Sequence, residues 1–268
     1  MSWLCQYLGV SRSGFYAWSS RGESQRQQQN RTLLRTIEQI HQETDRAYGS
    51  PRMHRELIDR GYLCGRHRVA RLMRVNGVVA QRKRRYRTNP ARGELYARFE
   101  NRLLRHEPAC RTNELWAGDY TYLRIPQGWL YLAVVLDLYS RRAIGWSVSR
   151  QRTANLTREA LRMAIGQRKP KPGTVFHSDQ GIEYAAHSFQ SLLTAHRIEP
   201  SMSRRGNCYD NAHMESFFSS LKLEMGQDFR SATDALGQIR DYIHFYNSSR
   251  KHSSLGFRSP NEYEKFNS

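Results

Sequence analysis

Three acidic residues stand out by their surroundings. Asp119 interrupts an apolar, aromatic stretch, Trp116-Ala117-Gly118-Asp119-Tyr120-Thr121. A carboxylate in a core strand is costly unless a cation pairs with it. Asp179 closes the short run Thr174-Val175-Phe176-His177-Ser178, and the ends of strands are where such sheets build their sites. Glu215 lies 36 positions after Asp179, on a helix expected to begin near Asn211. Hard divalent cations such as Mg²⁺ take several carboxylate oxygens and keep some waters; Mn²⁺ accepts the same oxygen ligands. Two such ions about 3.5 to 4 Å apart can activate a hydroxyl or water nucleophile and stabilise the leaving oxygen. Among 24 acidic residues any single one reads as a surface charge or a helix cap. The apolar context of these three is what lifts them.

The elements that must carry the acids follow from periodicity. Leu115 to Ile125 reads as a strand, and Trp129 to Tyr139 as a second, apolar on both faces like a central buried strand. Arg141 to Ser149 is a third, joined to the second by a tight hairpin at Ser140–Arg141. Thr153 to Arg168 is an amphipathic helix with Leu156, Ala160, Leu161, Ala164 and Ile165 inward. Pro170, Pro172 and Gly173 then break the chain. Thr174 to Ser178 is a short strand, His187 to His196 a helix, Ile198 to Ser203 a strand, and Asn211 to Met225 and Ala232 to Phe245 are helices. Three meandering strands followed by alternating strands and helices describe an α/β, ribonuclease-H-like fold: a mixed five-stranded sheet flanked by helices, spanning 113–268.

Residues 1–112 differ in kind. Trp3 to Leu8 and a second helix capped by Ser11 form a helix-turn-helix-like segment over 1–20. Gly22 to Asn30 is polar, a linker or an extended polar helix. Thr32 to Glu43 places Leu33, Ile37, Ile40 and His41 at helical spacing. Ser50-Pro51 starts another helix, with Ser as cap and Pro in the first turn and Met53, Leu57 and Ile58 inward; Gly61 stops it. Arg66 to Asn76 buries Val69, Leu72 and Met73 and leaves Arg66, Arg68, Arg71 and Arg74 outward. The 31–78 segment thus reads as a second helix-turn-helix-like unit with a basic final helix. Gln81 to Arg87 follows with five basic residues in seven, Arg82, Lys83, Arg84 and Arg85 among them, opening a basic linker over 79–112.

The net charge is +19, of which residues 1–110 contribute +13. Self-repulsion of this size is tolerated most simply when the partner is an anionic polymer, and nucleic acid is the leading candidate, ahead of an acidic membrane surface. No run approaches the roughly 18 to 20 apolar residues of a spanning helix, and the N-terminus has no secretory signal. The four cysteines, Cys5, Cys64, Cys110 and Cys208, are too scattered for a zinc site and read as free thiols in a reducing cytoplasm.

Longer motifs surround the acids. Trp116 to Tyr122, Gly128-Trp129-Leu130-Tyr131-Leu132-Ala133 through Asp137, Ser140-Arg141-Arg142, His177-Ser178-Asp179-Gln180-Gly181, and Ser201 to Asn211 leading into Glu215-Ser216-Phe217-Phe218 resemble the integrase-like core of bacterial insertion-sequence transposases. Phe245-Tyr246-Asn247, Arg250, His252, Leu255-Gly256 and Pro260 complete the pattern. Leu8 to Tyr16 and Tyr48 to Arg52 are similar to N-terminal segments of the same family, the OrfB-type catalytic subunits of insertion sequence family three. The resemblance implies a DDE-type transposase with Asp119, Asp179 and Glu215 as catalytic metal ligands. It would cleave a strand at the element's end to free a 3′-hydroxyl, which then attacks another phosphodiester in line. It also implies a homo-oligomer on double-stranded DNA at the bacterial nucleoid, and an upstream OrfA-type partner or a frameshift fusion with it. Two other readings compete: a metal-dependent nuclease without strand transfer, and a DNA-binding regulator.

The family commonly has Ser or Thr, then Gln or His, then Tyr after Gly181; here stand Ile182, Glu183 and Tyr184. Glu183 is expected to face solvent. Asp137 is expected to pair with Arg141 or Arg142, and His177 to be a satisfied histidine near the sheet. Lys222, two helical turns beyond Glu215, is either a DNA-terminus contact, as in integrases of this fold, or an ordinary surface lysine. Arg204 and Arg205 are placed to clamp phosphate. Asn207, Asp210 and Asn211 shape the loop and cap the helix. Arg250 and His252 either touch DNA or brace the core.

Overall fold

The computed structural model describes residues 2–81, 99–104, 108–204, 211–226 and 228–267. It resolves into two compact units, Met1–Gln81 and Arg82–Ser268.

The first unit is helical: α1 (Ser2–Tyr7), α2 (Arg12–Ser20), α3 (Gln25–Glu43), α4 (Ser50–Asp59) and α5 (Arg66–Val75). The Ser11 side chain caps α2 by accepting from the Gly14 N–H at 3.0 Å. The polar stretch before Thr32 is helix, because Ser24 and Gln27 form a capping box that starts α3 at Gln25. Helix α4 is capped by Gly49, with no side-chain hydrogen bond, so Ser50 is its first residue rather than its cap. Leu33, Ile37, Ile40, Met53, Leu57, Val69, Leu72 and Met73 form the buried centre, whereas Ile58 lies on the exposed side of α4. Gly61 (φ 84°) and Gly77 (φ 67°) follow α4 and α5 in the left-handed region that lets a helix stop.

The second unit is built on one mixed sheet. Its strands are β1 (Leu115–Ile125), β2 (Gly128–Asp137), β3 (Ala143–Ser149), β4 (Val175–Ser178) and β5 (Glu199–Met202), in the order β3-β2-β1-β4-β5. β1–β2 and β2–β3 pair antiparallel, β1–β4 and β4–β5 parallel. Both faces are covered, which is why β2 reads as a continuous apolar run. One face packs Ala117, Leu132, Val134 and Leu136 under α9 (Ala212–Glu224) and α10 (Ala232–Ser248). The other packs Trp116, Ala133, Val135 and Ile144 under α6 (Ala154–Arg168), α7 (Ile182–Ala185) and α8 (His187–Ala195). The chain ends in α11 (Pro260–Phe266), opened by a Ser259–Glu262 capping box. Its Glu264 binds Ser140 Oγ (2.7 Å) and Arg142 Nη1 (2.7 Å), and pairs with Arg168. Those contacts pin α11 to the β2–β3 corner and the end of α6.

Candidate active site

The sheet register brings two of the acids together. β1 and β4 run parallel, and their last paired rung is Gly118 with Ser178. Asp119 and Asp179 are the next residue on each strand, at the carboxyl end of the shorter one, where β4 stops and β1 continues. Gly118 permits this approach: a Cβ there would stand 2.3 Å from the Phe176 ring. Helix α9 lies over β1 on the face of Ala117 and Leu123, to which Asp119 belongs by alternation. It brings Glu215 in its first turn and Lys222 in its last.

The electrostatics tie these groups into one site. Burial pushes the Asp119 carboxyl well above the usual aspartate range. The charges of Asp179 and Glu215 add to this, against the Tyr120 N–H and the Lys222 ammonium. Burial likewise raises Asp179, and the Glu183 charge adds to it against the Gly181 N–H and Arg152. Asp119 Oδ1 accepts from the Tyr120 N–H at 2.7 Å and Asp179 Oδ1 from the Gly181 N–H at 3.0 Å. Among the described residues no Arg, Lys or His lies within 4 Å of Asp119, Asp179 or Glu215 as an ion pair. Lys222 Nζ sits 4.8 Å over the Tyr122 ring, and burial lowers its pKa while Asp119 opposes that shift.

Among the described residues no three His, Cys, Asp or Glu side chains converge closely enough to cage a metal ion unaided. The donor set nonetheless fits a divalent cation. Two carboxylates share one strand end, each is held by a single backbone N–H, and each has its charged form disfavoured by burial and by a like-charged neighbour. A hard cation that keeps several of its own waters satisfies such a pair without a closed cage.

Other expected residues are placed differently. Glu183 is buried at 6% exposure, not solvent-facing, and its Oε1 pairs with Arg152 Nε at 2.7 Å. Asp137 is fully buried. It accepts from the N–H groups of Asn113 (2.8 Å) and Tyr139 (3.0 Å) and lies 3.6 Å from Arg168. Arg142 is engaged by Glu264 instead, because α11 brings that carboxylate to the hairpin. His177 bridges Ser201 Oγ and Ser203 Oγ at 2.9 and 3.0 Å. Arg250 braces the core: it makes two 2.6 Å contacts to Glu224, which also accepts from Tyr242 Oη at 3.0 Å. His252 is buried, edge-on to Tyr246 at 4.6 Å. Asn211 stands at the N-cap of α9 without a side-chain capping bond. Arg204 is exposed beyond β5; Arg205, Asn207 and Asp210 lie outside the described residues.

In the helical unit Arg66, Arg71 and Arg74 are exposed on α5. Arg68 is not on that open face. It is half-buried, and its Nε donates to Asn30 Oδ1 at 2.8 Å, tying α5 to α3. Arg82, Lys83, Arg84 and Arg85 lie outside the described residues.

Sequence reasoning singled out Glu183 but missed Arg152 and Tyr120. Arg152 Cζ lies 5.7 Å from the centroid of the Tyr120 ring. Arg152 and Glu183 are 31 positions apart, and no local pattern links them.

Comparison with known proteins agrees with this layout. Two integrase core domain families match residues 109–208 and 196–260, and an HTH-like domain family matches 28–86. The transposase InsF for insertion sequence IS3A of Escherichia coli K12 is 39% identical, covering 98% of this chain and 93% of its own length. An uncharacterized 31 kDa protein of insertion element IS600 from Shigella sonnei is 37% identical over 96% of both. A simian T-cell lymphotropic virus intasome, solved with PP2A regulatory subunit B56 gamma, aligns over 85% of this chain and 74% of its own with a TM-score of 0.51 at 14% identity, a likeness of fold. The HTLV-2 integrase catalytic core domain in complex with magnesium aligns over 58% of this chain and 98% of its own with a TM-score of 0.46 at 17% identity. Among the described residues no helix is long and apolar enough to cross a membrane.

Proposed function

The chain belongs to the IS3 family of insertion-sequence transposases, and from that premise we propose that Asp119, Asp179 and Glu215 are the catalytic acids of its DDE-type chemistry. What supports this most is the β1–β4 register, which makes Asp119 and Asp179 the first residues beyond the last rung that the two strands share. The response of Asp119 to the charges of both Asp179 and Glu215 adds to it. The three carboxylates would together hold two magnesium ions, or manganese in their place. Bound there, the ions lower the pKa of an attacking water or 3′-hydroxyl and stabilise the leaving oxygen.

The chain's own residues do the rest. The Gly181 and Tyr120 N–H groups fix one oxygen each of Asp179 and Asp119, and the second oxygen of each would be available to a cation. Lys222, held over Tyr122 near Asp119, takes a phosphate of the terminal DNA strand. Arg204 and Arg205, next in the chain after β5, clamp the DNA backbone. Arg66, Arg71 and Arg74 of α5 and the basic run Arg82 to Arg85 carry the non-specific grip on duplex DNA. The chain acts as a homo-oligomer on two element ends, in the cytoplasm at the nucleoid, with an upstream partner or frameshift fusion supplying further DNA recognition.

The test uses labelled element ends with Mg²⁺. Nicked product with a free 3′-hydroxyl, followed by joined product, is expected. Hydrolysis without joining would replace strand transfer with plain nuclease chemistry.

A further inference from the structure

Glu183 is an awkward residue at a cation site. It adds a fourth carboxylate beside Asp179 and raises that residue's hold on its proton. It is almost wholly buried, and its Oε2 has no hydrogen-bond partner among the described residues. Its Oε1 is engaged by Arg152 Nε at 2.7 Å, and the Arg152 side chain remains 50% exposed. The guanidinium is also laid over the face of Tyr120, the chain neighbour of Asp119, and its charge acts on Asp179. An arginine held through Nε has its two terminal amino groups left to present as a fork, the geometry that suits a phosphate.

We propose that Arg152 is a DNA phosphate contact at the rim of the Asp119–Asp179 pair, and that Glu183 is a positioning residue that holds the guanidinium there. Each part of the arrangement has a use in this account. The Tyr120 ring gives the guanidinium a cation–π neighbour 5.7 Å away. Glu183 fixes its rotation, and its burial keeps that carboxylate from swinging out to compete for the phosphate. A pair that served only to join α6's leading edge to α7 would gain nothing from keeping half the arginine in water beside the acids. The ligand is the sugar–phosphate backbone of the strand entering the site, read for its charge and not for its sequence.

This inference rests on the DNA-processing reading above, so its test separates the two. Full-length protein is titrated with a duplex of the element's terminal repeat, in Ca²⁺, over a range of salt concentrations. R152A is expected to bind about tenfold more weakly at low salt, with a log–log salt slope shallower by about 0.9, the loss of one phosphate contact. E183A is expected to reproduce most of that loss, and R152A/E183A to be no weaker than R152A. Because R152A strands a buried carboxylate, the neutral pair R152Q/E183Q is measured beside it. The same shallower slope with an unchanged melting temperature supports the contact. An unchanged slope in both R152A and R152Q/E183Q overturns it, and additive losses in the double variant overturn the positioning role. Absence of metal-dependent cleavage of the same duplex by the wild-type chain would instead remove the catalytic reading and leave the salt comparison standing.

Discussion

The second unit treats its buried carboxylates in two opposite ways. At the β2–β3 corner, Asp137 and Glu264 lie among Arg168, Arg142 and the N–H groups of Asn113 and Tyr139. Elsewhere in the unit, Glu224 is clasped by Arg250 and Tyr242. At the β1–β4 end, Asp119 and Asp179 have one backbone N–H each and no cation within 4 Å among the described residues. The difference separates scaffold from site. A carboxylate supplied with arginines has its counter-charge built in, so removing a partner damages folding. On the assignment proposed above, one left among like charges takes its cation from outside, so neutralising it should relieve the fold and remove the chemistry.

Substitutions should sort along that line. The largest effect is expected at the open end. D119N or D179N should lower Mg²⁺-dependent strand cleavage by roughly 10³-fold or more while leaving the melting temperature equal or higher. A marked fall in melting temperature would show that these acids are structural. At the arginine-paired carboxylates the sign reverses. R250A strands the buried Glu224 carboxylate and should cost about 3–5 kcal/mol of stability, read by urea unfolding, with DNA affinity of the folded fraction unchanged. Weaker DNA binding without a loss of stability would restore Arg250 as a DNA contact.

Acid should find the arginine-paired carboxylates as well. Burial would raise the Glu264 carboxyl, but hydrogen bonds from Arg168, Ser140 and Arg142 outweigh it and hold it below its ordinary 4.5. A depressed folded value means a contribution fully present above the unfolded value and lost as pH falls through the folded one. As pH falls below about 4.5, the free energy of unfolding should therefore drop less steeply in E264Q than in the wild type; equal slopes would show that Glu264 contributes nothing to acid sensitivity. The smallest effects belong to the helical unit. Single alanines at Arg66, Arg71 or Arg74 should each make the salt slope of DNA binding shallower by up to about 0.9. R68A should instead lower stability, because Arg68 is spent on Asn30.

Much of this was legible in the sequence because strands buried on both faces leave a strong trace. Leu115 to Ile125 was read with the bounds that the strand has, and Asp119 stood out inside it for the same reason. The long motifs around Asp179 and Glu215 carried the family. Helix α11 was missed although Ser259, Pro260 and Glu262 spell a capping box; a seven-residue helix offers too little periodicity to notice. What the sequence could not reveal were partners distant along the chain. Glu183 looked like a surface charge because Arg152 lies 31 positions upstream. Asp137 was assigned to its neighbours Arg141 and Arg142, since nothing local announces that α11 occupies Arg142 and that Arg168 returns from the end of α6. Arg68 fitted a basic helix face until Asn30 was placed beside it.

If the open carboxylates hold divalent cations, the protein should bind them in the absence of DNA. Titration of the DNA-free protein with Mg²⁺ or Mn²⁺ by calorimetry, wild type against D119N and D179N, tests it most directly. Saturable binding by the wild type that is abolished or greatly weakened in both variants, with D137N binding like the wild type, is the result this account predicts. Equal binding by the wild type, D119N and D179N would contradict it.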